Sequence, residues 1–310
     1  MRRVLFVGPH VGAIDQIKSF GAMWSYFLPR ALTEAGAEVQ YASPPPAGED
    51  ARAVRYWRSV PADQFDIVLG VSRYFLRVPP ECARELAKRC RGYVAHIHDQ
   101  PVAGPVQVTF TVRGADGWKH NPPAHQIGWA ADDALFYPRQ NDDAPLRVLV
   151  DHRLYHDGVD HTEETIRAAL SLRLTGVAVS VRHVVDGGCI DVQVPEQGRQ
   201  KFTRKHVPVT KWAEELGSAH VFMSTHHESV GLCVLEAAVS GAVPLVRAGH
   251  ISPVLLRTVP HIEYEDPRHI PWQRVRRMVR MRWALVRDVA RQNTWAEVAR
   301  RVLDYDHAGK

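Results

Sequence analysis

Two carboxylates and a glycine define the chemistry this sequence offers. Glu228 and Glu236 lie eight positions apart in HVFMSTHHESVGLCVLEAAVSGAVPLVR, residues 220–247, which reads as a strand, a short polar loop, a helix and a second strand. Gly231 opens the helix, and Gly241 closes it as a left-handed cap. Leu232, Val234, Leu235, Ala237, Ala238 and Val239 make that helix apolar on every side, so it is predicted to be buried with Glu236 in its middle. A carboxylate is rarely buried without a partner, because desolvating its charge costs several kcal/mol unless something hydrogen-bonds it. The partner is either a ligand or an arginine from a neighbouring element. Glu228 stands in the loop that feeds the helix, where unpaired backbone N–H groups and the positive end of the helix dipole gather. Such a place suits a phosphate or a polar sugar. Amides at the helix mouth and two carboxylates can together hold a nucleotide sugar; the alternative for Glu228 is an ordinary solvated loop position.

The stretch Glu228-Ser-Val-Gly-Leu-Cys-Val-Leu-Glu236-Ala-Ala-Val-Ser-Gly-Ala-Val-Pro resembles the Glu, seven residues, Glu signature of retaining GT-B glycosyltransferases of the family-four type. Gly231, Leu232, Ala237, Gly241 and Pro244 fall in register with it as well. The resemblance implies that Glu236 binds the donor's ribose, and that Glu228, Ser229 and the amides of Gly231 and Leu232 hold the donor sugar and phosphates. Ala95-His-Ile-His-Asp99 is similar to the strand end in the first domain of these enzymes, which gives His98 contact with the donor sugar or diphosphate and a catalytic role beside Glu228. QIGWAADDALFYP, residues 126–138, resembles the segment that closes the first domain; Asp132, Phe136 and Pro138 fit, whereas Trp129-Ala130-Ala131 departs from the pattern. VDHRLYHDGVD, residues 150–160, resembles the loop that neutralises the donor diphosphate. Arg153 and Gly158 match there, but Asp157 occupies the position of the family's lysine, so part of the neutralisation falls to another cation. Arg204, Lys205 and Lys211 are the candidates.

The elements that must carry these residues alternate between strand and helix. A strand from Arg3 to Gly8 runs into a loop containing Gly8, Gly12 and Gly21, then a helix over 22–35 ended by Gly36 and a strand over 39–42. That first loop lies at the carboxyl edge of the expected sheet, where ligands bind in α/β folds, and Gly12 is counted with the donor-binding residues. Its spacing does not fit the Gly-x-Gly-x-x-Gly of a dinucleotide-binding dehydrogenase. Strands are predicted over 65–71, 93–98, 146–150 and 177–185, with helices over 80–91, 162–172 and 271–292 and a last helix capped by Thr294. Alternation places His96 and His98 on one face of their strand, but no third metal ligand is evident nearby, so no metal site is expected.

The expected architecture is GT-B: two Rossmann-like α/β domains facing across a cleft, with an acceptor-side domain over 1–138, a linker over 139–145, a nucleotide-sugar domain over 146–270 and closing helices over 271–310, part of which cross back to the first domain. The expected reaction is glycosyl transfer with retention, from a nucleotide-sugar co-substrate and without a cofactor, to a glycan or another polar hydroxyl. A hydroxymethylated base in DNA is the alternative acceptor, because RAVRYWR (52–58) and RYFLR (73–77) interleave arginines with aromatics. A non-catalytic nucleotide-sugar binder and a sugar epimerase of the same fold are the other readings. The 310 residues carry a formal charge of +5, with 45% hydrophobic and 24% charged side chains, as in an ordinary soluble chain long enough for two domains. Cys82, Cys90, Cys189 and Cys233 lack metal-ligand spacing and fit free thiols of a reducing, cytoplasmic compartment. No stretch approaches the ~20 apolar residues of a membrane helix, so any membrane contact is expected to be peripheral.

Overall fold

A computed structural model of the protein describes residues 1–17, 20–42, 50–71, 78–98, 107–111, 124–140, 144–152, 168, 171, 179–185, 188–191, 208–225 and 231–305. The first part of the chain forms β1 (Arg3–Val7), α1 (Phe20–Glu34), β2 (Glu38–Ala42), α2 (Asp50–Ser59), β3 (Ile67–Val71), α3 (Pro80–Arg89), β4 (Tyr93–His98), β5 (Val108–Thr111) and β6 (Ala124–Gln126). Helical crossovers between successive strands let those strands pair in parallel. The sheet is parallel throughout, in the order β2-β1-β3-β4-β5-β6. β3 reads IVLGV and is buried along its whole length, as the continuous apolar run of a sheet covered on both faces requires.

The second part forms β7 (Leu146–His152), β8 (Val179–Val185), β9 (Gly188–Asp191), α4 (Val209–Ser218), β10 (Val221–Ser224), α5 (Leu232–Val239), β11 (Val243–Arg247), α6 (Pro253–Leu256), β12 (Ile262–Tyr264), α7 (Trp272–Gln292) and α8 (Trp295–Leu303). Its sheet runs β12-β11-β10-β7-β8-β9, parallel except for β9, which pairs antiparallel with β8 at the edge. The chain divides into two compact units, one of Met1–Ala130 with Asn293–Lys310 and one of Ala131–Gln292.

Each unit has its own core. In the first, Trp57 of α2 and Cys82, Ala83 and Leu86 of α3 pack with Leu5, Val7, Val68 and Val94 of the sheet. α1 instead meets α8, where Trp295 lies edge-on to Trp24 with ring centroids 4.9 Å apart and stacked on Phe27 at 5.4 Å. The Tyr93 hydroxyl, pushed up in pKa by burial, donates to the carbonyl of Val302 at 2.7 Å and ties the end of α8 to β4. In the second unit, Val275 and Val279 of α7 close one face of the sheet over Val148, Val221, Met223, Val243 and Leu245. Among the described residues no helix is long and apolar enough to cross a membrane, and Cys82, Cys90 and Cys233 are buried free thiols.

α5 ends as its sequence dictates. Gly241 has φ +81°, its N–H donates to Ala238 O at 3.0 Å, and the N–H of Ala242 donates to Ala237 O at 2.9 Å, the paired bonds of a Schellman cap. A Cβ on Gly241 would lie 3.0 Å from the side chain of Pro138. Gly241→Ala is therefore expected to lower folding stability by about 1–2 kcal/mol, the cost of a left-handed alanine. Urea denaturation measures it; an unchanged midpoint would show that the cap carries no such constraint.

Candidate functional site

In the second sheet, β7 comes first in sequence, β8 and β9 extend the sheet to one side, and β10 returns to pair on the other. The order reverses between β7 and β10, so their carboxyl ends form a topological switch point, the place where α/β sheets receive ligands. Residues 153–160 follow β7 and residues 226–230 follow β10, so the segments bearing Arg153 and Glu228 both leave from this point in the chain. Arg153, Asp157, Glu228 and Ser229 themselves lie outside the described residues, as do Arg204 and Lys205.

What is described at this sheet edge is the helix mouth. Gly231 is the N-cap of α5, with φ +80° and ψ +35°. A Cβ there would lie 2.8 Å from Ile251 Cγ2 and 2.9 Å from Leu255 Cδ2, so both the backbone conformation and the close approach of α6 require glycine. A glycine cap brings no side-chain acceptor to the first-turn amides, in contrast to the serine or aspartate that ordinarily fills this position. Leu232 and every other residue of α5 are buried.

Glu236 is 5% exposed, one turn into this helix. Its Oε2 accepts a 2.7 Å hydrogen bond from the indole Nε1 of Trp212 on α4. Trp212 is fixed in turn by an edge-on contact with Phe222 of β10, ring centroids 6.0 Å apart. An indole N–H is a donor only and carries no charge. It thus satisfies one carboxylate oxygen and adds no positive charge of its own. Of the two partners open to Glu236 from sequence, ligand or arginine, the structure adds a third in Trp212, which sequence reasoning missed. Lys211, a sequence candidate for diphosphate neutralisation, pairs with Glu214 at 2.9 Å and Glu215 at 3.7 Å on α4. Arg247, at the carboxyl end of β11, was not singled out by motif, yet its buried Nη1 has no hydrogen-bond acceptor among the described residues. It stands in register with Tyr264, whose hydroxyl donates to Ser224 O at 3.2 Å at the end of β10.

The first unit has its own switch point, between β1 and β3. Gly12 lies in the exposed loop after β1 and donates its N–H to Gln16 Oε1 at 3.1 Å. His98 is the last residue of β4; its side chain and Asp99 lie outside the described set, while His96 is fully buried within the strand. Trp57, the aromatic centre of RAVRYWR, is 1% exposed in the core, so it is not presented for stacking on a base, and Tyr56 is partly buried against the same cluster. Tyr74 and Phe75 lie outside the described residues.

No protein-family model matches the chain, and no curated protein matches it in sequence. Solved structures do. A glycosyltransferase from Rickettsia africae is 11% identical with a TM-score of 0.66, covering 98% of this chain and 97% of its own. Sucrose-phosphate synthase from Thermosynechococcus elongatus is 11% identical at 0.62, covering 97% of each chain. S. aureus MnaA, solved with UDP, is 10% identical at 0.53, covering 98% of this chain and 95% of its own. With two parallel-sheet units matched over nearly the full length, the chain has the GT-B fold.

Replacing the Trp212 donor tests the geometry at the site. Trp212→Phe keeps most of the apolar volume and removes one part-buried hydrogen bond to a carboxylate, so it is expected to destabilise the fold by about 1–3 kcal/mol. The double variant with Glu236→Gln should be destabilised by less than the sum of the two single changes, and strict additivity in denaturant titrations would contradict the contact.

Proposed function

We propose that the protein is a glycosyltransferase that moves a sugar from a nucleotide-sugar donor to an acceptor hydroxyl with retention of anomeric configuration. The observation that carries this reading is the glycine-capped mouth of α5 at the switch point of the second sheet, with a buried carboxylate one turn inside it. In this reading Glu236 accepts hydrogen bonds from the ribose hydroxyls, oriented by Trp212. The amides of Gly231 and Leu232, with Ser229, receive the diphosphate and donor sugar, and Gly12 is assigned to donor binding. Arg153 and Arg247 supply the positive charge that Asp157 does not. Glu228 holds the sugar hydroxyls, and His98 contacts the sugar or diphosphate at the reacting end.

The chemistry asks for positioning and charge stabilisation more than for a protein nucleophile. The bond between the anomeric carbon and the diphosphate oxygen breaks, a new bond to the acceptor oxygen forms on the same face, and the acceptor's proton passes to the departing phosphate. Helix-mouth amides and arginines stabilise the charge that develops on the diphosphate, so a divalent metal is not needed in this scheme. The acceptor class proposed is a glycan or another polar hydroxyl compound, because Trp57 belongs to the core and Tyr56 is partly buried against it.

A thermal-shift screen against UDP, GDP, ADP and CMP identifies the nucleotide, since a ligand at 100 times its dissociation constant adds about 2.7 kcal/mol of stability. With that nucleotide, Glu236→Gln should weaken binding by about 1.5–3 kcal/mol, the worth of a hydrogen bond to a charged group. Glu228→Gln should lower turnover. Unchanged titration of the Glu236→Gln variant removes the ribose assignment; activity lost to EDTA and restored by magnesium or manganese removes the metal-independent scheme.

A further inference from the structure

α7 separates its surface by chemistry. Val275, Val279, Arg282 and Val289 face inward, whereas Arg274, Arg277, Arg280, Arg287 and Arg291 are exposed. The spacings of three, seven and four from Arg277 to Arg291 bring four of these guanidinium groups into one stripe, about 21 Å long at 1.5 Å per residue. Asp288 is the only acidic residue of the helix. Among the described residues no carboxylate forms an ion pair with any of the five exposed arginines. Like charges three and four positions apart repel one another, and on the helix itself Asp288, three positions before Arg291, is the single acidic side chain set against this stripe.

The borders of the stripe are apolar. Met281 is 56% and Trp283 43% exposed, two of the five exposed large hydrophobic side chains among the described residues, and helical geometry places them on opposite sides of the arginines. The guanidinium of buried Arg282 lies 5.1 Å from the Trp283 ring centroid and donates to Val279 O at 2.8 Å. This cation–π contact helps to fix the orientation of the indole ring.

We infer that this face of α7 docks on an anionic phospholipid surface, with Arg277, Arg280, Arg287 and Arg291 at the phosphates and Trp283 and Met281 in the headgroup layer on either side. Arginines on the polar face supply attraction to anionic lipid, and tryptophan is at home at headgroup depth. The flanking side chains favour a bilayer over a nucleic acid, because beside a duplex backbone they would gain no apolar medium. The binding is peripheral, as no described helix spans a membrane. It is independent of which reaction the second sheet performs.

The test is co-sedimentation of the full chain with vesicles of phosphatidylcholine alone and of phosphatidylcholine mixed with phosphatidylglycerol, across a salt series. The expected result is binding to the mixed vesicles only, weakening as salt rises. Combined Arg277→Gln, Arg280→Gln, Arg287→Gln and Arg291→Gln should lower the partition coefficient by roughly a hundredfold or more, given four surface charges removed. Trp283→Ser, a milder change, should lower it several-fold, with circular dichroism verifying that both variants are folded. Absence of binding to anionic vesicles at low salt overturns the proposal. So does binding that survives the four-arginine change in folded protein, or tighter binding to duplex DNA than to the vesicles at equal salt.

Discussion

The hydrogen bond between Trp212 and Glu236 is the contact on which the proposed site turns. α5 is apolar on all sides because it is packed on all sides, and a carboxylate in such a helix is destabilising unless its oxygens are satisfied. An indole satisfies one of them and, as a neutral donor, brings no positive charge of its own. The arrangement depends on its surroundings: Phe222 limits the indole, and Gln140 donates to Ala219 O at 2.5 Å and Ser240 O at 2.9 Å, tying the turn between α4 and β10 to the end of α5. Pro138 rests against the Gly241 cap.

Topology does the remaining positioning. Two reversals of strand order, one between β1 and β3 and one between β7 and β10, place the loops with the chemistry-bearing residues at carboxyl ends of parallel strands. α7 serves two purposes in the second unit, since its inner face completes the core over β10 and β11 while its outer face displays arginine. One amphipathic helix thereby links fold stability to a surface function.

Much of this was legible in the sequence wherever the controlling signal is local. Gly231 and Gly241 mark the ends of α5 through the backbone conformations only glycine adopts easily, and Thr294 caps α8 by accepting from the N–H of Glu297 at 3.2 Å. The strand at 93–98 and the basic helix ending at Gln292 also stand where periodicity puts them. Other features depend on partners distant in sequence. Trp212 meets Glu236 across 24 positions, and nothing in the pattern around Trp212 reports it. The three- and four-residue strands β6 and β5 are too short for alternation to register, and the antiparallel edge strand β9 is set by pairing with β8. α2 was read only as a basic-aromatic stretch, because its apolar face holds few residues until Trp57 turns inward.

The central claim is that a nucleoside diphosphate binds at the mouth of α5. Backbone amide hydrogen exchange, with and without the nucleotide that stabilises the protein, tests it most directly. First-turn amides of a helix have no intrahelical acceptor and exchange readily unless a ligand or another partner receives them. The account predicts that nucleotide slows exchange at Leu232, ahead of Val234, whose N–H already donates to Gly231 O at 2.9 Å. Protection confined to other segments, with the Leu232 amide unchanged, would contradict it.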